Sequence, residues 1–119
     1  FLFMQITLLK SKIHRAIVTE ADLDYIGSIS IDANLMEASN LIEYEKVHVL
    51  SITTGVRIET YVIKSPSGSG EICINGAAAH LIKKDEMVII VAYGRMDEHT
   101  VTNFKPAVVH VNQQNKIID

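Results

Sequence analysis

Tyr25-Ile26-Gly27-Ser28-Ile29-Ser30-Ile31-Asp32 sets a serine, with glycine just before it, at the mouth of an apolar, β-branched run. Such a run reads as a strand, and comparable runs recur along the chain. They are Gln5 to Leu9, Arg15 to Thr19, Lys46 to Ile52, Arg57 to Ile63, Glu71 to Ile74, Met87 to Tyr93 and Ala107 to Val111. Turn residues separate them, so the pattern predicts a mostly β, closed or nearly closed barrel. Short helices are expected over Ala33 to Ser39, with the Asn34-x-x-Glu37 spacing of a capping box, and over Ala77 to Leu81 after the Asn75-Gly76 turn. Asp97 to Thr102 is a weaker helical candidate. Ser65-Pro66-Ser67-Gly68-Ser69-Gly70 lacks the lysine and following Ser/Thr of a phosphate-binding P-loop and reads as a hairpin loop.

The Gly27-Ser28 pair also carries a chemical possibility. Glycine has no Cβ, so its carbonyl can be approached closely, and the next hydroxyl is placed to attack it in an N-to-O acyl shift. β-Elimination of the resulting ester would leave dehydroalanine at position 28, and hydrolysis would leave a pyruvoyl group at the head of a new chain. On its own, though, Gly-Ser is an ordinary loop or strand edge.

Further motifs supply context. Lys12-Ile13-His14-Arg15, Val18-Thr19-Glu20-Ala21-Asp22-Leu23, Gly55-Val56-Arg57-Ile58-Glu59-Thr60-Tyr61 and Asn75-Gly76-Ala77-Ala78-Ala79-His80 follow in that order. With Tyr-x-Gly-Ser they resemble the aspartate 1-decarboxylase family, small pyruvoyl enzymes that make β-alanine for pantothenate synthesis, from about Leu9 to about Val111. The resemblance implies a small six-stranded double-psi β-barrel, a homotetramer with active sites between neighbouring subunits, and self-cleavage into chains 1–27 and 28–119. It also implies a pyruvoyl cofactor derived from Ser28, to which L-aspartate condenses as a Schiff base before losing carbon dioxide. No metal and no pyridoxal phosphate would then be required, and the five histidines show none of the close spacings of a zinc motif.

Residue roles follow residue by residue. Lys12 and His14 are two apart and share a strand face, whereas Arg15 points the other way. The planar fork of Arg57 suits bidentate carboxylate binding, and the resemblance assigns it to the substrate carboxylates with Lys12 assisting. Tyr61, four residues on, shares its face; the resemblance makes it the phenol that returns a proton to Cα. Thr60 should face away by alternation, yet the resemblance gives it a part in processing and binding. Either a bulge or sites in different subunits would reconcile the two. The resemblance further implies that Asn75, Gly76, Ala77 and Ala78 form a small-residue binding loop, that Tyr25 shapes the cleavage loop, and that His14 assists there or in binding. His80 has no assigned role.

Composition narrows the rest. The chain has 119 residues, 48% of them hydrophobic, which fits one domain that gains from association. A formal charge of -3 without a basic stripe argues against a nucleic-acid partner. One cysteine, Cys73, no signal segment and no run of about 18 apolar residues point to a reducing cytoplasm and no membrane partner. Phe1-Leu2-Phe3 before Met4 reads as an upstream remnant or extension and is set aside. Rival readings are another pyruvoyl-dependent amino-acid decarboxylase, which the Arg57 and Lys12 pair disfavours, and a non-catalytic binding or assembly barrel in which Ser28 stays a serine.

Overall fold

The computed structural model describes residues 3–119; Phe1 and Leu2, from the segment set aside above, lie outside the described residues. Eight strands are present: β1 (Gln5–Ile17), β2 (Glu20–Asp22), β3 (Ser28–Asp32), β4 (Lys46–Ser51), β5 (Arg57–Ser65), β6 (Ile72–Asn75), β7 (Met87–Asp97) and β8 (Ala107–His110). They join in one sheet, in the order β2-β6-β3-β5-β4-β7-β1-β8. Six strands thus form a continuous run, and the three-residue β2 and four-residue β8 extend it at either end. The mostly β, barrel-like architecture agrees with the expectation, with eight strands where six were expected.

Connectivity forces the sheet to curl. β1 and β2 lie six strand spacings apart in the sheet order, about 29 Å if it were flat. Yet only Val18 and Thr19 join them, a link of about 10 Å at full stretch. Both linker residues are hydrogen-bonded across the seam, Val18 N to Glu86 O at 2.9 Å and Thr19 N to Ile72 O at 2.8 Å. The Asn115 side chain reinforces it, accepting from Ile17 N and donating to Ile17 O and Gly70 O, each at 2.8 Å.

Inside the curl lie Ile13, Ile29, Ile31, Val49, Val62 and Ile74, all with no exposed surface. Burying each such side chain contributes about 1.5–3 kcal/mol. β-Branched side chains suit this pleated wall, and their alternation with half-exposed neighbours fixes which face of each strand points inward.

Five local expectations need correction. Gln5 to Leu9 and the first part of Arg15 to Thr19, as far as Ile17, belong to one long strand, β1, whose register against β7 shifts between Leu9 and Ser11 and between His14 and Ala16. Arg15 takes φ 68° in the second bulge, so the polar run Lys10-Ser11-Lys12 and this kink hid a single strand. The helix α1 (Ala33–Ala38) is capped by Asp32, whose side chain accepts from Asn34 N, and not by an Asn34/Glu37 box. The loop from Pro66 to Gly70 is no hairpin, because β3 lies between β5 and β6. The loop closes over the end of β3 instead: buried Asp32 accepts from Gly68 N at 3.0 Å and Gly70 N at 2.8 Å. The Ala77 to Leu81 candidate is a 3₁₀ turn at Gly76–His80, and the Asp97 to Thr102 candidate a shorter one at Glu98–Thr100.

Candidate functional site

Two clusters emerge, and the first surrounds Ser28. Ser28 opposes Asn75 in the antiparallel β3–β6 pair and is 1% exposed. The Asn75 amide donates to Ser28 Oγ at 2.8 Å and to Ser30 Oγ at 3.0 Å, while its Oδ1 accepts from the Cys73 thiol at 3.0 Å. Burial first, then the Glu71, Glu20 and Asp22 carboxylates, push the Cys73 thiol up to about 11, so it stays protonated and can donate. A thiol that donates fixes which end of the amide faces the serine.

Gly76 then brings its backbone onto the Gly27 peptide. It has φ +73°, and a Cβ there would stand 2.7 Å from Gly27 Cα and 2.9 Å from Gly27 N, with Tyr25 O at 3.1 Å. Only glycine tolerates both the left-handed backbone and the contact. The Gly27-Ser28 bond is therefore cradled by backbone from the next motif, with exposed Tyr25 and Ala77 and half-buried Ala78 around it. This cradle and the Asn75 amide fit a small group held at position 28. A cleft of about 340 Å³ opens beside them, lined among others by Tyr25, Ser30, Asn75, Glu20, Asp22 and Glu71.

The second cluster spreads over the outer face of four strands. Directly opposed residues share a face, which puts Lys12, Val91, His48 and Glu59 in one row across β1, β7, β4 and β5. His14, Ile89, Leu50 and Arg57 form the next row. Tyr61 joins the same face opposite Lys46. Arg57 Nη1 donates to His48 Nδ1 at 3.0 Å, and His48 Nε2 and Lys46 Nζ each lie 3.1 Å from Glu59 Oε1. Lys46, by hydrogen bond and charge, and secondarily His48, hold the Glu59 carboxyl below its ordinary range. A groove of about 390 Å³ lined by Thr7, Lys46, His48 and Tyr93 runs alongside.

At the far edge, His14 stacks edge-on against His110, ring centroids 5.4 Å apart, and burial followed by Lys12, His110 and Arg15 lowers its pKa. Its Nδ1 is buried without a hydrogen-bond partner among the described residues.

Thus Tyr25, Gly27, Ser28, Asn75, Gly76, Ala77 and Ala78 come together. Tyr61 is close to them: β3 and β5 run parallel with Ile29 opposite Val62, and that register carried back one place sets Ser28 beside Tyr61. Thr60 opposes Val47 on the other face, in an unbroken β4–β5 register, so no bulge turns it toward Tyr61. Lys12 and His14 lie on β1, four places from β3 and Ser28 in the sheet order, so a different part of the sheet carries them. His48 and Cys73 entered no sequence-based site, because their partners lie on neighbouring strands or across a pleat. Among the described residues no group of three or more His, Cys, Asp or Glu could hold a metal ion. No described helix is long and apolar enough to cross a membrane.

Comparison with known proteins identifies the family. The family profile described as Aspartate decarboxylase matches residues 4–118. A protein of Acetivibrio thermocellus named Aspartate 1-decarboxylase is 56% identical over 116 residues, 98% of this chain and 92% of that protein. Proteins of the same name from Corynebacterium efficiens and Myxococcus xanthus are 56% and 51% identical, over 94% and 97% of this chain and 82% and 88% of theirs. The chain belongs to the aspartate decarboxylase family.

Proposed function

We propose that this member of the aspartate decarboxylase family cleaves itself between Gly27 and Ser28 and then converts L-aspartate to β-alanine and carbon dioxide, as the names of its relatives suggest. The β-alanine would feed pantothenate synthesis in a reducing cytoplasm, which suits a free, buried Cys73. The observation that carries the reading is the Gly76 backbone lying on Gly27 while Asn75 holds Ser28 Oγ.

Self-processing uses the chain's own atoms. Ser28 Oγ attacks the Gly27 carbonyl, the C–N bond breaks, and an ester with a free amine on residue 28 replaces the amide. Loss of the Ser28 Cα proton expels the Gly27 carboxylate and leaves dehydroalanine. One water then replaces the amine nitrogen, released as ammonia, and position 28 becomes pyruvoyl. That group supplies the electron sink for the carbanion that departing carbon dioxide leaves behind.

The remaining residues bind and move protons. Tyr61, one strand from Ser28, is placed to return the proton to Cα. Asn75 and the small Gly76, Ala77 and Ala78 hold the reacting end by side-chain amide and backbone. Arg57 and Lys12, which lie on the other cluster, hold the carboxylates from a neighbouring copy. A homotetramer with sites between subunits accounts for that division, and the partly exposed Leu50, Ile89, Tyr93 and Val108 on the same outer face give it apolar surface to bury.

Intact mass under denaturing conditions tests the processing step, with β-alanine production measured on the same sample. Fragments 1–27 and 28–119 are expected, the larger about 17 Da lighter than the same chain beginning with serine, because turning serine into pyruvoyl removes one ammonia overall. Ser28→Ala should remain full-length and inactive. Full-length wild-type chain that nonetheless decarboxylates aspartate would overturn the reading.

A further inference from the structure

We propose that His48 is a positioning residue for Arg57, setting the guanidinium for the substrate carboxylate; this rests on the carboxylate role given to Arg57 above. The chemistry of the contact assigns the tautomer. A guanidinium can only donate hydrogen bonds, so the His48 Nδ1 that lies 3.0 Å from Arg57 Nη1 must present a lone pair. His48 is then neutral with its proton on Nε2, and Nε2 lies 3.1 Å from Glu59 Oε1, an acceptor. Both ring nitrogens are matched, and no other protonation state matches them.

The arrangement is a carboxylate–imidazole–guanidinium relay across the β4–β5 pair. Glu59 opposes His48 directly, so its carboxylate meets the ring, while Arg57 lies two places along and reaches back to the ring's other side. Lys46 holds the carboxylate from the same strand as His48. Tyr93 on β7 packs edge-on against the imidazole, centroids 5.4 Å apart, which fixes the ring plane. The His48 side chain is 23% exposed, whereas Arg57 is an exposed residue. An exposed arginine would otherwise sample many rotamers, and immobilising one costs binding energy when it happens only on meeting the ligand. With one Nη held by His48, the guanidinium keeps its remaining N–H groups for a carboxylate at little further cost in rotamer freedom.

Steady-state kinetics on processed enzyme decide the matter. His48→Leu, which keeps bulk but removes both ring nitrogens, should self-cleave normally and raise the KM for aspartate on the order of tenfold, with kcat within about twofold. His48→Gln, whose amide can accept from Arg57 and donate to Glu59, should restore KM to within about threefold of wild type. In an Arg57→Ala background the His48→Leu change should have no further effect on KM, since the group it positions is gone. A KM unchanged in His48→Leu beside a raised KM in Arg57→Ala would overturn the proposal alone. An unaltered KM in Arg57→Ala would overturn the carboxylate role of Arg57 and the proposal with it. A fall in kcat in both His48 variants without the KM change would show a structural role instead and would also overturn it.

Discussion

The serine end and the Arg57 face are built from the same strands yet differ in kind. Around Ser28 the polar atoms are buried and bonded to one another, Asn75 serving three partners inside one chain. Around Arg57 they form an exposed relay on an outer face whose apolar neighbours are half-covered. Charge divides them too. The cleft beside Asn75 is lined by Glu20, Asp22 and Glu71 against one lysine, Lys64, whereas the other cluster presents Arg57, Lys46 and Lys12. Breaking a peptide bond within the chain requires only that chain's geometry; holding a dianion requires cations, of which the serine-end cleft offers Lys64 alone against three carboxylates. If the proposed reaction runs between copies, one copy would complete the first task and two would be needed for the second.

The sharpest way to break this comparison is Gly76→Ala. A Cβ at 2.7 Å from Gly27 Cα, on a residue at φ +73°, forces the two backbones apart. Self-cleavage should be lost by at least two orders of magnitude on a gel time course, by analogy with a misplaced reacting group. A protein that stays folded by circular dichroism and cleaves at the wild-type rate would show that the cradle is dispensable.

Tyr61→Phe separates the two tasks. Cleavage should proceed, while kcat for aspartate should fall roughly 10²-fold, the usual loss for a missing general acid. Wild-type turnover would place the proton donor elsewhere on the Arg57 face.

The smallest effect is expected at Asp32, which anchors the serine strand without touching the chemistry. Burial opposes its charge, but N–H groups of Gly70, Asn34 and Gly68 outweigh burial and lower its pKa from 3.8. A carboxylate depressed on folding stabilises the protein above the unfolded pKa and loses that contribution as pH falls through the folded value. Asp32→Asn should therefore cost about 1 kcal/mol at neutral pH, as for a lost helix cap, in urea titrations. The gap between mutant and wild type should narrow as pH falls below 3.8 and through the lowered folded value; a gap independent of pH would assign the loss to packing.

Much of the serine end was legible because its parts are contiguous motifs. Gly27-Ser28 and Asn75-Gly76 each announce a backbone requirement, and strand pairing merely brings the two together. The Arg57 face was less so. His48 and Arg57 are nine residues apart and meet only because the β4–β5 register sets them on adjoining strands. β1 was split in two because its bulges interrupt the period that marks a strand, and β2 was missed because Glu20-Ala21-Asp22 carries no β-branched residue. The loop from Pro66 to Gly70 looked like a hairpin since nothing local reveals that a third strand passes between its ends.

The two-residue link between β1 and β2 has one more consequence. The first 27 residues supply β2 at one end of the sheet order and β1 next to the other end, hydrogen-bonded to β6 and to β7 and β8 respectively. The proposed cut after Gly27 would leave that segment woven through the curl, so a nicked protein would keep its shape without the covalent tie. Once melted, however, the two pieces must find each other again by diffusion. Recovery after denaturation would then depend on concentration, whereas an uncut chain would refold at a rate set by itself alone, and the mature molecule would owe its persistence to slow unfolding more than to reversible folding.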